Sequence, residues 1–364
     1  MNPRLVPSTA LAVYTVRLWL LRTLGVLAML VIVLMSLDLL GKSGQILEPA
    51  GNGQAELLRY VGYRVPQLIA RFLPFAVLLG TLITFIGLSQ GSEVIAMKAA
   101  GISAHQILTP FLLAGLVVAA IAFAFNERVV TRATRALNAW EAVDYGPVPP
   151  ARMGGSNVWV RSGDNLVRAR TVSGSGPNLV LGGVTLYGRD RGVLRTVTEA
   201  ERARPWGRGW RLENVRSFDV AAGRVTRQAV GTLSSELRPE QFTLAAVEAD
   251  EQPWTRLRRA IRALQDAGRP TEALEAGLWH KIAGPASAAL MPLLAAVAAF
   301  GLARSGQLFI RAIIGMALGF AYFVVDNFAL ALGNLGAYSP PLAAWGPLLL
   351  FGLIGETVLL RTEE

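Results

Sequence analysis

Long apolar stretches lie toward both ends of the chain and enclose a polar middle region. A helix needs about 20 mostly apolar residues to cross roughly 30 Å of hydrocarbon. Six stretches qualify, with their apolar parts at Val16–Leu40, Phe72–Gln90, Ile107–Phe125 and Ile282–Ala303 and, as a pair, within Ala312–Gly355. The pair is divided at Gly333–Pro341, where glycines and adjacent prolines are typical of a turn. The pattern therefore predicts six transmembrane helices.

The middle region shows a different pattern, in which apolar and polar residues alternate. Such alternation, bounded by turns rich in glycine and aspartate, predicts antiparallel strands. It occurs in six runs, at Asn157–Arg161, Leu166–Arg170, Gly183–Tyr187, Leu194–Thr198, Trp210–Val220 and Val225–Leu233. Six or more short strands are typical of a sandwich, a jelly roll or an open barrel. Polar helices are expected on both flanks, at Glu127–Tyr145 and Thr255–Leu274.

These patterns divide the chain into three parts. Residues 1–126 hold the first three transmembrane helices and a short helix at about 91–101, and residues 277–364 hold the last three. Residues 127–276 form the β domain with its helical flanks. The expected fold is a membrane α-helical bundle with an inserted antiparallel β domain.

Positive charge beside the apolar stretches predicts the orientation. Arg and Lys in short loops stay in the cytoplasm, whereas large domains cross the membrane largely regardless of charge. With six spans, the cations of the short segments all fall on one side, at Arg4, Arg17, Arg22, Lys98, Arg304, Arg311 and Arg361. We therefore expect cytoplasmic termini and an outer β domain. No small-residue cleavage site follows the first span, so we expect it to be retained as an anchor.

Composition narrows the class of protein. Only 16% of the residues are charged and 52% are hydrophobic, against about 25% charged residues in average soluble domains. The net charge is +10. In a soluble protein such a charge would suggest binding to nucleic acid, but in a membrane protein it indicates binding to anionic lipid or a role of the cations in setting the orientation in the membrane. There are no cysteines, and the two histidines, His105 and His280, lie far apart. We therefore expect no metal site and regard both histidines as interfacial or loop residues.

Motifs for catalysis are missing. Gly41-Lys42-Ser43 resembles the end of a phosphate-binding loop, but Ser36 stands where the first glycine of that motif is needed. No paired carboxylates, HExxH or GxSxG occur, so we expect no catalytic residues, no cofactor and no enzyme. Asp326 is an acid within an apolar stretch, and we expect it to cap or hydrogen-bond a neighbouring helix. Gly315-x-x-x-Gly319 permits close helix packing, although this motif is common in apolar segments.

The loop between the second and third spans predicts a short helix at the cytoplasmic face. Ser92 suits its N-cap, Glu93 its first turn and Gly101 the position after its end. The apolar residues of this helix recur at helical spacing, at Val94, Met97 and Ala100. This face either docks in a groove of a cytoplasmic partner or lies on the lipid surface.

Cations near the outer ends of the spans form a second candidate site. Arg128, Arg132 and Arg135 share one face of a helix that follows the third span. Either this helix is a solvent-exposed extension of the third span, or its arginines face phosphate groups at the outer mouth of a membrane cavity. Arg64 and Arg71 precede the apolar part of the second span, where they either snorkel or join such a site.

The loop segment Ser92–Ser103, SEVIAMKAAGIS, resembles the coupling helix of the LptF/LptG permeases, which move lipopolysaccharide out of the inner membrane. The resemblance extends over the whole chain. Trp279-His280-Lys281-Ile282 before the fourth span and Tyr322–Asp326 in the fifth are more similar to the LptG branch than to LptF.

This resemblance implies an inner-membrane transporter subunit whose β domain is a periplasmic jelly roll. It also implies an LptF-type paralogous permease, an LptB-type ATPase dimer and an LptC-type membrane-anchored jelly-roll protein as partners. Lipopolysaccharide would enter between the two permeases and be driven upward by ATP hydrolysis in the partner.

The same resemblance implies roles for single residues. Glu93 matches the family's coupling glutamate, and Val94, Met97 and Ala100 lie on its helix. Lys42 matches a family cation that contacts lipid A phosphates, whereas Gly41 and Met35 stand where the family has lysines. The expected lipid A contacts are Lys42 together with four other cations near the outer ends of the spans. Arg132 and Arg135 lie close to family arginines without matching them residue for residue, and Arg64 and Arg71 are added for their position alone.

Two other classes of protein remain open at this point. A membrane-anchored envelope enzyme would carry its active site in the β domain, where no catalytic constellation is visible. A scaffold of an envelope complex would not need a helix that docks on an ATPase.

Overall fold

A computed structural model describes residues 8–147, 156–162, 164–174, 178–190, 192–207, 209–234, 242, 248–266, 270–301 and 308–363. The chain forms two compact units. The membrane unit comprises Met1–Leu40, Arg64–Thr131 and Pro253–Glu364, and the β unit comprises Gly41–Tyr63 and Arg132–Gln252. Arg4 and Arg304, two of the cations used to predict orientation, lie outside the described residues.

The helices on the N-terminal side of the sheet include the first three spans. They are α1 (Thr9–Leu47), α2 (Gln54–Gln90), α3 (Glu93–Ala99), α4 (Ala104–Phe125) and α5 (Thr131–Glu141), with a π-helical turn at Asn126–Val130 between α4 and α5. The helices after the sheet are α6 (Trp254–Asp266), α7 (Glu272–Ala296), α8 (Leu308–Asn334) and α9 (Pro340–Glu363).

The predicted number of spans is confirmed. Within the described ranges, six helices are long and apolar enough to cross a membrane. They cover Thr9–Leu47, Gln54–Gln90, Ala104–Glu141, Glu272–Ala299, Ala312–Asn334 and Pro340–Arg361. Helical structure continues into polar residues beyond the apolar stretches, because backbone hydrogen bonding does not stop where the lipid does.

The six predicted strands are confirmed and form one antiparallel sheet in chain order. They are β1 (Ser156–Ser162), β2 (Asn165–Ser173), β3 (Val180–Asp190), β4 (Val193–Trp206), β5 (Gly209–Asp219) and β6 (Arg224–Ser234). One face buries small and branched side chains, such as Val167 and Ala169 on β2 and Leu212 on β5, and Phe242 packs edge-on against Trp210. The inserted antiparallel β domain is therefore confirmed.

The predicted helix at Thr255–Leu274 is two helices. The first, α6, ends at Asp266, and α7 begins at Glu272. Pro270 lies between them and cannot donate the backbone hydrogen bond that a continuous helix needs. Glu272 and Glu275 in the first turn of α7 suit the positive end of its dipole. The helix of the fourth span thus begins ten residues before the predicted apolar stretch at Ile282.

The segment Gly41–Tyr63 belongs to the β unit, although the sequence suggested only the ends of two spans there. The amide of Asn52 donates to the carbonyls of Ile46 and Tyr145 at 2.7 and 3.0 Å. The Arg59 guanidinium lies 4.8 Å from the ring centroid of Trp140. These contacts join the turn between α1 and α2 to α5.

Glycines allow close packing in the membrane unit. A Cβ on Gly80 of α2 would lie 2.7 Å from the Cα of Thr23 in α1, so the two backbones approach closely there. Gly315 and Gly319 of α8 accommodate Leu82 and Leu78 of α2. The expectation that the GxxxG motif permits close packing is therefore confirmed.

Candidate coupling helix and phosphate-facing cations

The short helix α3 is held rigidly at its C-terminal end. The N–H of Ile102 donates to the carbonyl of Met97 at 3.1 Å, and the N–H of Gly101 donates to that of Lys98 at 3.0 Å. Gly101 has φ +79°, as this pair of bonds requires at the residue after a helix. Ser103 then begins α4 with a capping box to Gln106. The predicted position of Gly101 is correct.

The predicted N-cap position is correct, but the capping hydrogen bond is missing. Ser92 has a left-handed backbone with φ 58°, and its side chain makes no cap hydrogen bond. The chain turns sharply there as it leaves α2, and the N–H of Gly91 donates to the carbonyl of Gly87 at 3.0 Å. Glu93 lies in the first turn of α3, as predicted.

The apolar side of α3 packs against the membrane unit. Val94 and Met97 are only 7% and 8% exposed, in a cluster that also contains Trp19 and Ile107. Ile95 is 67% exposed, and Ala96, Ala99 and Ala100 are exposed beside it. Val94, Met97 and Ala100 were expected to face a partner together. In the structure they do not share one face, because Val94 and Met97 point inward and Ala100 points outward.

Glu93 contacts the first span. The hydroxyl of Tyr14 on α1 donates to Oε1 of Glu93 at 3.3 Å. Deeper in the unit, the indole Nε1 of Trp19 donates to Oγ1 of Thr81 on α2 at 2.7 Å. The first span thus reaches both α2 and α3 through polar side chains.

Two of the five predicted phosphate contacts already have partners. The Arg64 guanidinium meets both carboxylate oxygens of Asp38 at 3.1 Å and donates to Oε1 of Gln67 at 2.8 Å. Arg135 donates to the carbonyl of Glu251 at 2.6 Å and to the amide oxygen of Gln252 at 3.2 Å. Both arginines hold neighbouring segments together inside their own units.

The other three cations are more accessible. Lys42 contacts only a neutral group among the described residues, the amide oxygen of Gln45 at 3.3 Å. Arg71 and Arg132 are exposed and have no ion-pair partner within the described part of the chain. Among the described residues, these three cations contact no carboxylate and no backbone carbonyl.

Glu251 lies buried in the β unit beside Arg135. The Asn138 amide donates to its Oε1 at 2.8 Å, and the side chain is 4% exposed. Burial raises the pKa of Glu251, and the nearby Glu248 adds to the effect, whereas Asn138 and Arg135 oppose it. The sequence showed no sign of this group, because the contact joins residues more than a hundred positions apart.

Asp326 of α8 lies near α7, at a distance longer than a hydrogen bond. Its Oδ2 is 3.9 Å from Nε2 of His280 on α7. His280 lies inside α7 and is therefore not a loop residue, and its Nδ1 is buried without a hydrogen-bond partner among the described residues.

A buried ion pair joins α7 to the end of the third span. Nζ of Lys281 lies 3.6 Å from Oε1 of Glu127, and their side chains are 10% and 17% exposed. The other oxygen of Glu127 accepts the backbone N–H of Trp254, the first residue of α6, at 2.6 Å. Glu127 therefore connects three helices of the membrane unit. Spacing in the sequence could not reveal this group.

The sequence matches a known family from end to end. The family described as lipopolysaccharide export system permease LptF/LptG matches residues 13–361. The chain belongs to the LptF/LptG family. It is 27% identical over 348 residues to lipopolysaccharide export system permease protein LptG of Escherichia coli (strain K12), covering 92% of this chain and 94% of that protein. It is 24% identical over 319 residues to LptG of Haemophilus influenzae, covering 84% and 86%.

The reported relatives are LptG proteins, so this is an LptG-like member of the family. With its six apolar helices, it is a multi-pass protein of the inner membrane and a permease by family. The sequence analysis noted a resemblance to the LptF/LptG permeases over the whole chain. The family match over residues 13–361 confirms this resemblance.

Proposed function

We propose that this chain is one permease subunit of an ABC-type exporter of lipopolysaccharide. It extracts the lipid from the inner membrane and passes it to a periplasmic bridge, using ATP hydrolysis by a partner. The observation that carries the proposal is an LptF/LptG match over residues 13–361, which includes all six spans and the β domain inserted after the third.

The partners follow from the family. They are an LptF-type permease, an LptB-type ATPase dimer and an LptC-type anchored jelly-roll protein. The termini and α3 then lie in the cytoplasm and the domain at 127–276 in the periplasm. The chain is not itself an enzyme in this arrangement, because the ATPase is a separate subunit.

We assign α3 to coupling with the ATPase. A helix that is bound at both ends and packed by Val94 and Met97 moves together with α2 and α4. Its exposed side presents Ile95 and Ala100, with Glu93 at one end, to a partner. Displacement of α3 would therefore displace the second and third spans and not merely a loop.

We assign Lys42, Arg71 and Arg132 to the phosphates of lipid A. Arg71 and Arg132 are exposed and Lys42 is half-buried, and Arg–phosphate contacts are charge-assisted and often bidentate. Single exposed ion pairs contribute only about 0–1 kcal/mol, so binding is shared among several cations. Arg64 and Arg135 contribute less, because Asp38 offsets the charge of Arg64 and the Glu251 carbonyl holds Nη2 of Arg135 in place.

An affinity purification tests the function as a whole. The tagged chain is purified from native membranes in mild detergent, and proteins and lipids are identified by mass spectrometry. We expect an LptF-type permease, an LptB-type ATPase and lipopolysaccharide, all absent from a tagged inner-membrane protein of another family. Recovery of the chain alone with ordinary phospholipid would contradict the proposal.

A further inference from the structure

The helix α6, which precedes the fourth span, has one apolar and one strongly basic side. Its buried residues are Leu257, Ile261 and Leu264. Its exposed residues include four arginines, Arg256, Arg258, Arg259 and Arg262. We propose that this arginine face binds the headgroup phosphates of anionic phospholipids in the adjacent leaflet.

The charge of this face is not neutralised within the described protein. Arg256 and Arg262 have no ion-pair partner among the described residues. Arg259 donates only to the carbonyl of Thr255, at 3.3 Å, and Arg258 lies 5.3 Å from the ring centroid of Trp254. The helix contains one acid, Asp266 at its last residue. Planar guanidinium groups with free donors are well suited to phosphate.

The position of α6 places these arginines near the membrane surface. It ends at Asp266, and α7, which opens the fourth span, begins at Glu272. Six extended residue steps cover at most about 22 Å, so α6 cannot lie far from the lipid. Trp254 at the start of α6 is also of a type enriched at membrane interfaces.

The arrangement of the arginines favours a surface of many headgroups over one ligand. At 100° per residue, Arg258, Arg262, Arg259 and Arg256 spread over about 160° of the helix circumference. Cations that hold a single bis-phosphorylated molecule have to converge on it. A fan of exposed cations instead meets many headgroups at once, as polybasic faces at an anionic lipid surface do.

The inference depends on the six spans and not on lipopolysaccharide as cargo. Its test uses the absence of cysteine from the chain. Ala263→Cys, on the exposed side of α6, provides a single site for a fluorophore in the full-length protein. The labelled protein is placed in nanodiscs of phosphatidylcholine and phosphatidylglycerol. In one sample phosphatidylglycerol carries a headgroup quencher, and in the other phosphatidylcholine carries it at the same mole fraction.

We expect quenching by labelled phosphatidylglycerol to exceed that by labelled phosphatidylcholine at least about twofold, because each arginine adds to the attraction. High salt, or glutamine at all four arginine positions, should remove the excess. Lysine at the four positions should retain most of it. A control variant neutralises four exposed arginines of the β unit, Arg202, Arg216, Arg224 and Arg227, and should leave it unchanged.

Equal quenching by the two lipids in the unmodified background would overturn the proposal. So would an excess that survives Arg→Gln at all four positions. A third arm uses lipopolysaccharide with a headgroup quencher. Enrichment of that lipid without enrichment of phosphatidylglycerol would overturn the assignment to phospholipid, whereas the purification described above tests the export function independently.

Discussion

Asp38 of α1 holds Arg64 of α2 by both carboxylate oxygens, with Nε–Oδ2 and Nη2–Oδ1 distances of 3.1 Å. This pair joins the first two spans near the turn between them, and its side chains are 23% and 33% exposed. An arginine held in this way supports the fold first and a ligand second. Arg64 is therefore a structural cation, in contrast to cations of this protein that are available to a phosphate.

We expect Arg64→Gln to lower stability by about 1 kcal/mol, as for a well-formed but partly exposed ion pair, and to change lipopolysaccharide photo-crosslinking little. The joint variant with glutamine at Lys42, Arg71 and Arg132 should lose most of the crosslinking and keep its thermal midpoint. Neutralising Arg216, Arg224 and Arg227 instead is the matched control for charge. Full crosslinking in the joint variant would remove those three cations from the site.

Gly80→Ala should destabilise the membrane unit by roughly 1–3 kcal/mol, because the new methyl group would meet the Thr23 backbone and force α1 and α2 apart. Gly62→Ala in the same helix is the control. A Cβ there has nothing within 4 Å, so the change should be neutral or slightly stabilising. Thermal unfolding in detergent measures both, and equal midpoints would show that the two helices can separate without cost.

Glu93→Ala should lower association with the ATPase or uncouple ATP hydrolysis from lipopolysaccharide export. Tyr14→Phe removes the same 3.3 Å hydrogen bond but keeps the carboxylate, so it should retain both properties. Co-purification and ATP-dependent lipid release from proteoliposomes measure them. If Tyr14→Phe were as defective as Glu93→Ala, the glutamate would act by anchoring α3 to α1 and not by direct contact.

Burial raises the pKa of Glu251 above its usual value of 4.5. Just above that pH, the native state still holds the proton that the unfolded chain has released. Stability therefore falls as pH rises from 4.5 to the higher native pKa. Glu251→Gln should keep the Asn138 contact and reduce this fall, whereas Glu251→Ala should cost about 1 kcal/mol at every pH because the hydrogen bond is lost.

Thermal midpoints between about pH 5 and 7.5 measure this effect, since that range begins just above the usual pKa. Glu248 also has a pKa raised by burial and then by Asp250, so the difference between the wild-type and Gln curves is the quantity to compare. Parallel curves would show that Glu251 does not carry a proton in the native state.

The spans and strands were predictable because each is a local pattern. An apolar run of about 20 residues has to be buried in lipid or protein, and alternation at period two has to place one side of a strand inward. All six spans and all six strands follow from such patterns. The turn at Gly101 was predictable for the same reason, since glycine suits φ +79° at low cost.

The direction of a helix face and the partner of a charge were decided only in three dimensions. Val94 and Met97 have the spacing of a docking face, and that spacing is the same whether the face meets a partner or its own bundle. Arg64 and Arg71 looked alike in the sequence, yet among the described residues Arg64 has a carboxylate partner, 26 positions away on α1, and Arg71 has none. Glu127, Lys281 and the N-terminus of α6 meet across even longer separations. Periodicity records which residues are apolar, whereas pairing depends on which helices the fold brings together.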